Sequence, residues 1–169
     1  MKDKINHQIK GHLEIDFLGV NGEVIERFSE GNLIVDFSKT SIIKCIAGAA
    51  QNTYGITAIQ MGDDVGTGTT ILPEAPEADY TSADMSLVYQ TAGVDVMYPT
   101  STSVLFSITI DGNLIVDAAN TKYATSNETA NLNSAVLMAG NGEPFSYKRF
   151  PVKVVTRFID VTVRWTIEF

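Results

Sequence analysis

The sequence predicts an all-β fold, a two-sheet antiparallel β-sandwich of jelly-roll type, with one short helix near residues 38–47. Three observations carry this. The first is the closing stretch, Phe158 to Phe169, F-I-D-V-T-V-R-W-T-I-E-F. Ile159, Val161, Val163, Trp165, Ile167 and Phe169 share one parity, and Asp160, Thr162, Arg164, Thr166 and Glu168 share the other. Successive strand side chains point to opposite faces, so one face is apolar and one polar, as in an antiparallel strand covering a core. The second is the spacing of turn signals, Asn21-Gly22, Asp111-Gly112-Asn113 and Asn141-Gly142, between short apolar runs. The third is that a single stretch carries a helical period.

In chain order, residues 1–10 read as a polar arm and residues 11–169 as one sandwich domain. His12 to Leu18 alternates, with Leu13, Ile15 and Phe17 on one face, and Asn21-Gly22 turns it into a return strand from Glu23 to Phe28. Gly31 is expected to break the chain before a short buried strand, Asn32 to Asp36. Ser38 to Ala47 then places Ile42, Ile43 and Ile46 at helical spacing, with Asp36 or Ser38 to cap the start and Gly48 to end it. Ile56 to Met61 returns to strand. Residues 62–84 are rich in Gly, Thr, Pro and acids, and read as a long surface loop.

Two weaker strands follow at Met85–Gln90 and Val94–Tyr98. A stronger one runs from Ser103 to Thr109, with Val104, Phe106, Ile108 and Ile110 on one face. Asp111-Gly112-Asn113 is read as a turn into a strand at Leu114–Val116, and Thr121–Asn133 as a polar loop. Ser134–Ala139 and Phe145–Phe150 form a hairpin about Asn141-Gly142. Pro151 separates that hairpin from Val152–Val155, which leads into the final strand. The hexapeptide G-N-L-I-V-D occurs twice, at 31–36 and at 112–117, with flanks that do not match. Both copies are expected to be a turn followed by a core strand.

The 169 residues suffice for one domain with a substantial core, and 44% hydrophobic with 19% charged residues is the composition of a folded chain. No apolar run is long enough to span a bilayer, and residues 1–10 lack the apolar stretch of a secretory signal. One cysteine, Cys45, leaves no internal disulfide and suits synthesis in a reducing cytoplasm. Net charge is −8, and from Cys45 to Thr121 there is no Lys, Arg or His. Nucleic acid is therefore a poor partner, since phosphates call for clustered bases. The bases sit in the first quarter and in the tail, there at Lys148, Arg149, Lys153, Arg157 and Arg164, so acidic and basic regions of neighbouring copies could meet in an assembly.

Chemistry is sparsely signalled. His7 and His12 both precede the first firm strand, and no G-x-S-x-G elbow occurs. Cys45, beside Ile43 and Ile46, reads as a buried inert thiol. The glycines of residues 62–70 lack the lysine a phosphate loop needs, and Asp63-Asp64 lack the D-x-D-x-D-G spacing of a calcium loop. No two carboxylates fall on one element as an acid/base pair, and Asn127-Glu-Thr129 is a sequon without a secretory route. Tyr54, Tyr80, Tyr89, Tyr98 and Tyr123 could form a sugar-binding surface, but Tyr in β proteins more often packs at a sheet rim. No enzyme, cofactor or metal is expected.

Three patches carry a resemblance. Ile56–Thr70 followed by Pro73–Gln90, Asn32–Ala47, and Phe145-Ser-Tyr-Lys-Arg-Phe-Pro-Val-Lys leading to Trp165-Thr-Ile-Glu-Phe169 together resemble small β-rich virion structural proteins of tailed bacteriophages. The chain departs from that pattern at Asp63-Asp64 and at Val136-Leu-Met-Ala139. The resemblance implies a non-enzymatic particle component made in the bacterial cytoplasm and located in the virion. The first expectation is a capsid decoration or cement protein that forms homo-oligomers, a trimer by analogy, and docks on the major capsid protein. Lys148, Arg149, Lys153 and Arg157 would be its contact with acidic neighbours, and Asp63 and Asp64 in the loop a second contact. The alternative is a tail, baseplate, neck or fibre component that docks on tail proteins. A carbohydrate-binding β-sandwich ranks third.

Overall fold

The structure, a computed structural model, describes residues 9–34, 36–63 and 86–169. The arm at 1–8 with His7, Asp64, Tyr80 and most of the loop at 62–84 lie outside the described residues. The described chain forms nine strands, β1 (Lys10–Leu18), β2 (Val24–Ile34), β3 (Ile56–Gly62), β4 (Leu87–Gln90), β5 (Asp95–Thr100), β6 (Ser103–Ile110), β7 (Thr129–Ala139), β8 (Pro144–Thr156) and β9 (Asp160–Glu168). Three helices join them, α1 (Asp36–Ile46), α2 (Gln51–Tyr54) and α3 (Gly112–Tyr123).

All pairings are antiparallel, in the order β4-β3-β7-β8-β2-β1-β9-β6-β5. The link between β8 and β2 is only two residue pairs, Leu33 with Tyr147 and Ile34 with Ser146. The order therefore divides there into two sheets, β2-β1-β9-β6-β5 and β4-β3-β7-β8, consistent with an all-β sandwich. At the junction Asn32 Nδ2 donates to Ser146 Oγ, tying the end of β2 to the second sheet.

The alternation of β9 is realised. Val161, Val163, Trp165 and Ile167 are buried in the main core, against Leu13, Ile15 and Phe17 of β1 and Phe106 and Ile110 of β6. β9 lies between β1 and β6, so it is central to its sheet. Phe169 falls just past the strand and is half exposed.

The second sheet is covered on both faces. Ile59, Met61, Ala135 and Leu137 point into the main core, while Ala58, Val136, Met138 and Tyr147 form a second small cluster against Phe37 of α1. That is why Ser134–Ala139 reads as a continuous apolar run without alternation. Gly140 sits beneath α2, where a Cβ would overlap the Asn52 carbonyl, and its N–H donates to the Gly55 carbonyl.

Four expectations are corrected. Gly31 does not break the chain, because β2 runs through it in register with β1, Gly31 opposite His12. The second G-N-L-I-V-D is the start of α3, and its Ile115 and Val116 enter the main core from a helix. Asp111 accepts from the Asn113 N–H at 2.7 Å, the N-cap interaction that starts a helix where a turn was expected. The stretch read as a loop over 121–133 is the end of α3, a short turn and the first five residues of β7. Finally, Pro151 does not separate two strands. It is exposed, at a bulge where the β7–β8 register shifts between Leu132 and Ser134, and there a missing N–H is tolerated.

The expected helix is present as α1, and its end is a Schellman motif. Gly48, at φ +80°, donates to the Cys45 carbonyl, and Ala49 donates to the Lys44 carbonyl at 2.9 Å. Its apolar residues divide, however. Ile42 packs on the core, whereas Ile43 and Ile46 are exposed.

Candidate assembly surface

The late bases anticipated as a docking patch are engaged within the chain. Lys148 pairs with Glu30 at 2.7 Å, Lys153 with Glu26, and Arg157 with Asp117 at 2.7 Å and Glu128 at 3.2 Å. Arg157 is held above the usual arginine range mainly by its hydrogen bond to Asp117. These pairs join β8 to β2, and the turn after β8 to α3, so the charges act as ties between elements. Exposed ties of this kind are worth little individually. Arg149 is half-buried on β8 and is not brought into a patch with the others by any of these pairs. Asp63 is buried, its N–H donating to the Ser86 carbonyl, and it lines a polar concavity of about 420 Å³ with Asn120, Tyr123, Asn127 and Asn131. Asn120 is committed there to structure: it donates to the Asn127 carbonyl and accepts from Thr125 Oγ1 and the Asn127 N–H.

The solvent face of the first sheet holds a charge network that sequence reasoning missed. Asp16 on β1 is only 1% exposed although its parity is polar. Arg27 grips it with two hydrogen bonds, Nε to Oδ1 at 2.5 Å and Nη2 to Oδ2 at 3.0 Å. Arg164 Nη1 donates to Asp16 Oδ2 at 2.7 Å and to Glu14 Oε1 at 2.6 Å. The Arg27 hydrogen bond, joined by that of Arg164 and opposed by burial, holds Asp16 below its ordinary range. Arg164 and Arg27 are raised in turn, chiefly by their hydrogen bonds to Asp16. Glu14 and Asp16 are two carboxylates on one face of one strand, an arrangement legible in L-E-I-D-F. Each is matched to arginine, which suits a strut between strands better than proton transfer. Nearby, His12 Nε2 lies 2.9 Å from Ser29 Oγ, in the open on the same face.

The surface most in need of a partner is β5. Among the described residues it pairs only with β6, at the end of the strand order, and all six of its residues are exposed. Val96 is 44%, Met97 52% and Tyr98 79% exposed. An edge strand with bare apolar side chains is a template for pairing with another chain unless something blunts it. The other edge, β4, is four residues long and has α3 packed against it. On β5 that role falls to Asp95 at one end and to Pro99 and the register shift after Met97 at the other, which leaves Val96 to Tyr98 open between them.

Beside β5 opens an apolar groove of about 520 Å³, lined by Val96, Tyr98, Val104, Phe106, Phe169 and Cys45. Cys45 is half-buried in the groove wall, not enclosed as expected. With roughly 150–250 Å² per large aromatic side chain, the open part of this surface is on the order of several hundred Å², the size at which exposed patches mark interaction sites. The sequence did hold a signal. Val96, Met97 and Tyr98 are apolar on both parities and are followed by Pro99, the pattern of an edge strand with no water face.

Among the described residues no group of three or more His, Cys, Asp or Glu could hold a metal ion, and no helix is long and apolar enough to cross a membrane. No family model, curated protein or solved structure matches the chain.

Proposed function

We propose that this chain is a non-enzymatic structural protein of a bacteriophage particle, a β-sandwich that assembles with itself and docks on the capsid as a decoration or cement protein. The observation that carries the assembly half is β5, an edge strand with Val96, Met97 and Tyr98 bare beside an apolar groove. The bacteriophage half is carried by the resemblance of the three sequence patches. A protein that binds only the assembled particle stabilises it by mass action, and this needs surfaces, not catalytic groups. The reading takes the sandwich as jelly-roll-like. In support, β1 pairs with β9 and β2 with β8, the nested first-with-last order of such a roll, although β1 and β2 also pair with each other as a hairpin.

A tail, neck or fibre location is the second reading, favoured by the exposure of Tyr98, since recognition hot spots are rich in Tyr. Co-sedimentation of the purified protein with emptied heads and with isolated tails separates the two. Saturable binding to heads at a fixed ratio per capsid subunit is the expected result. Binding to tails alone selects the second reading, and binding to neither overturns both.

A further inference from the structure

We propose that the occupant of the β5 edge is β5 of a second copy, antiparallel across a two-fold axis, with Met97 at the axis. The proposal deepens the assembly half of the function proposed above and rests on it.

Geometry restricts how two β5 strands can meet. A two-fold axis perpendicular to the sheet keeps each face on its own side, and opposed residues in an antiparallel pair share a face. The two residue numbers of every opposed pair must then sum to the same even value. Val96 is opposite the core-facing Phe106 of β6, and Val96 and Tyr98 both line the groove, while Met97 is opposite Leu105 on the outer face. With Met97 on the axis, Val96 of each copy lies against Tyr98 of the other on the groove side. Met97 meets its own counterpart outside. The apolar floor of each groove then continues into its neighbour.

Charge agrees with this register. The only charged residue of β5 is Asp95, and Met97 on the axis sets it opposite Pro99, not opposite a second carboxylate. Pro99, with no N–H, marks the end of the new ladder. Pairing in this register sets Val96, Met97 and Tyr98 of each copy, all exposed in the single chain, against apolar counterparts. A two-fold contact builds even-numbered assemblies, in place of the trimer expected by analogy.

Disulfide trapping in a Cys45→Ala background tests the axis. At Met97 the two Cα atoms would be about 4.5–5.5 Å apart, inside the roughly 4.4–6.8 Å a disulfide spans. Met97→Cys should therefore give a cross-linked dimer under mild oxidation. Leu114→Cys, half exposed on α3, should not. Sedimentation velocity on the unaltered chain should show a dimer. Val96→Lys should weaken that dimer about ten-fold or more, with the circular dichroism melt unchanged at dilutions where the chain is monomeric, because Val96 is half exposed in the single chain. A monomer at every concentration, a dimer indifferent to Val96→Lys, or Met97→Cys trapping no better than Leu114→Cys would overturn the proposal. A monomer that still binds heads saturably would overturn this contact and leave only the capsid-docking half of the proposed function standing. A trapped dimer that binds neither heads nor tails would do the reverse.

Discussion

The hexapeptide Gly-Asn-Leu-Ile-Val-Asp closes a strand with its first four residues in one copy and starts a helix in the other. In the first copy Gly31 to Ile34 close β2, and Asp36 is already the first residue of α1. Gly31 pairs with His12 across the ladder, and Asn32 reaches over Gly11 to Ser146 on the second sheet. In the second copy Gly112 begins α3, Asn113 turns back to the Asp111 carboxylate at 2.9 Å, and Ile115 and Val116 share one buried helix face. Six identical residues thus carry no fixed structure. What differs is the company: Glu30 before the first copy with β1 alongside, against Asp111 before the second and Ala118-Ala119 after it. A capping carboxylate and a helix-favouring continuation outweigh the β-branched Ile and Val when no strand partner is adjacent.

The sharpest way to break the comparison is to add one methyl group to each glycine. At Gly112 a Cβ would lie closer than 3.0 Å to the carbonyl oxygens of Ile159 and Thr156, so Gly112→Ala should cost roughly 3 kcal/mol in urea unfolding. At Gly31 the nearest atom would be 3.9 Å away, and Gly31→Ala should change stability by less than about 0.5 kcal/mol. Equal effects at the two sites would mean that the copies are not packed differently. The isoleucines come next. Ile115 is fully buried, and Ile115→Ala should cost about 3 kcal/mol, whereas Ile34→Ala at a half-buried site should cost roughly half as much in the same assay.

Acid should loosen the surroundings of the first copy selectively, because β2 is tied to β1 through Arg27 and Asp16. Asp16 is held below its ordinary range when folded, so the unfolded chain takes up its proton first as pH falls. Its contribution is complete above the ordinary carboxylate value near pH 4 and is lost as pH drops through the lowered folded value. Asp16→Asn should cost roughly 2 kcal/mol at pH 7 and flatten the fall in stability below pH 4, followed by thermal melts across pH. An unchanged acid limb would remove the strut. The smallest effect is at the residues preceding each glycine. Asp111→Ala should cost about 1 kcal/mol by uncapping α3. Glu30→Ala, which loses only an exposed pair with Lys148, should stay within about 0.5 kcal/mol.

The parts of the fold that were legible are those where one face meets the core and the other meets water. β1 and β9 fall in this class, and their buried residues follow directly from parity. The hairpin at Gly22 and the end of α1 at Gly48 were legible because positive φ needs glycine there. α3 was hidden because a strand-like Leu-Ile-Val and a turn-like Asp-Gly-Asn mask the N-cap. The first five residues of β7, T-A-N-L-N, are too polar to announce a strand, and are held by pairing with β8. For the site, the bases were visible but not their partners, since Glu26, Glu30 and Asp117 are far away in sequence. β5 was read as weak for the reason that makes it a candidate interface: its apolar residues do not alternate.

The central claim is that β5 is an interface, and hydrogen exchange of the full chain across a dilution series tests it most directly. Those amides of residues 95–98 that face away from β6 should be protected in concentrated protein and lose protection on dilution, while those of β9 stay protected throughout. Rapid exchange of those outward-facing amides at every concentration would contradict it.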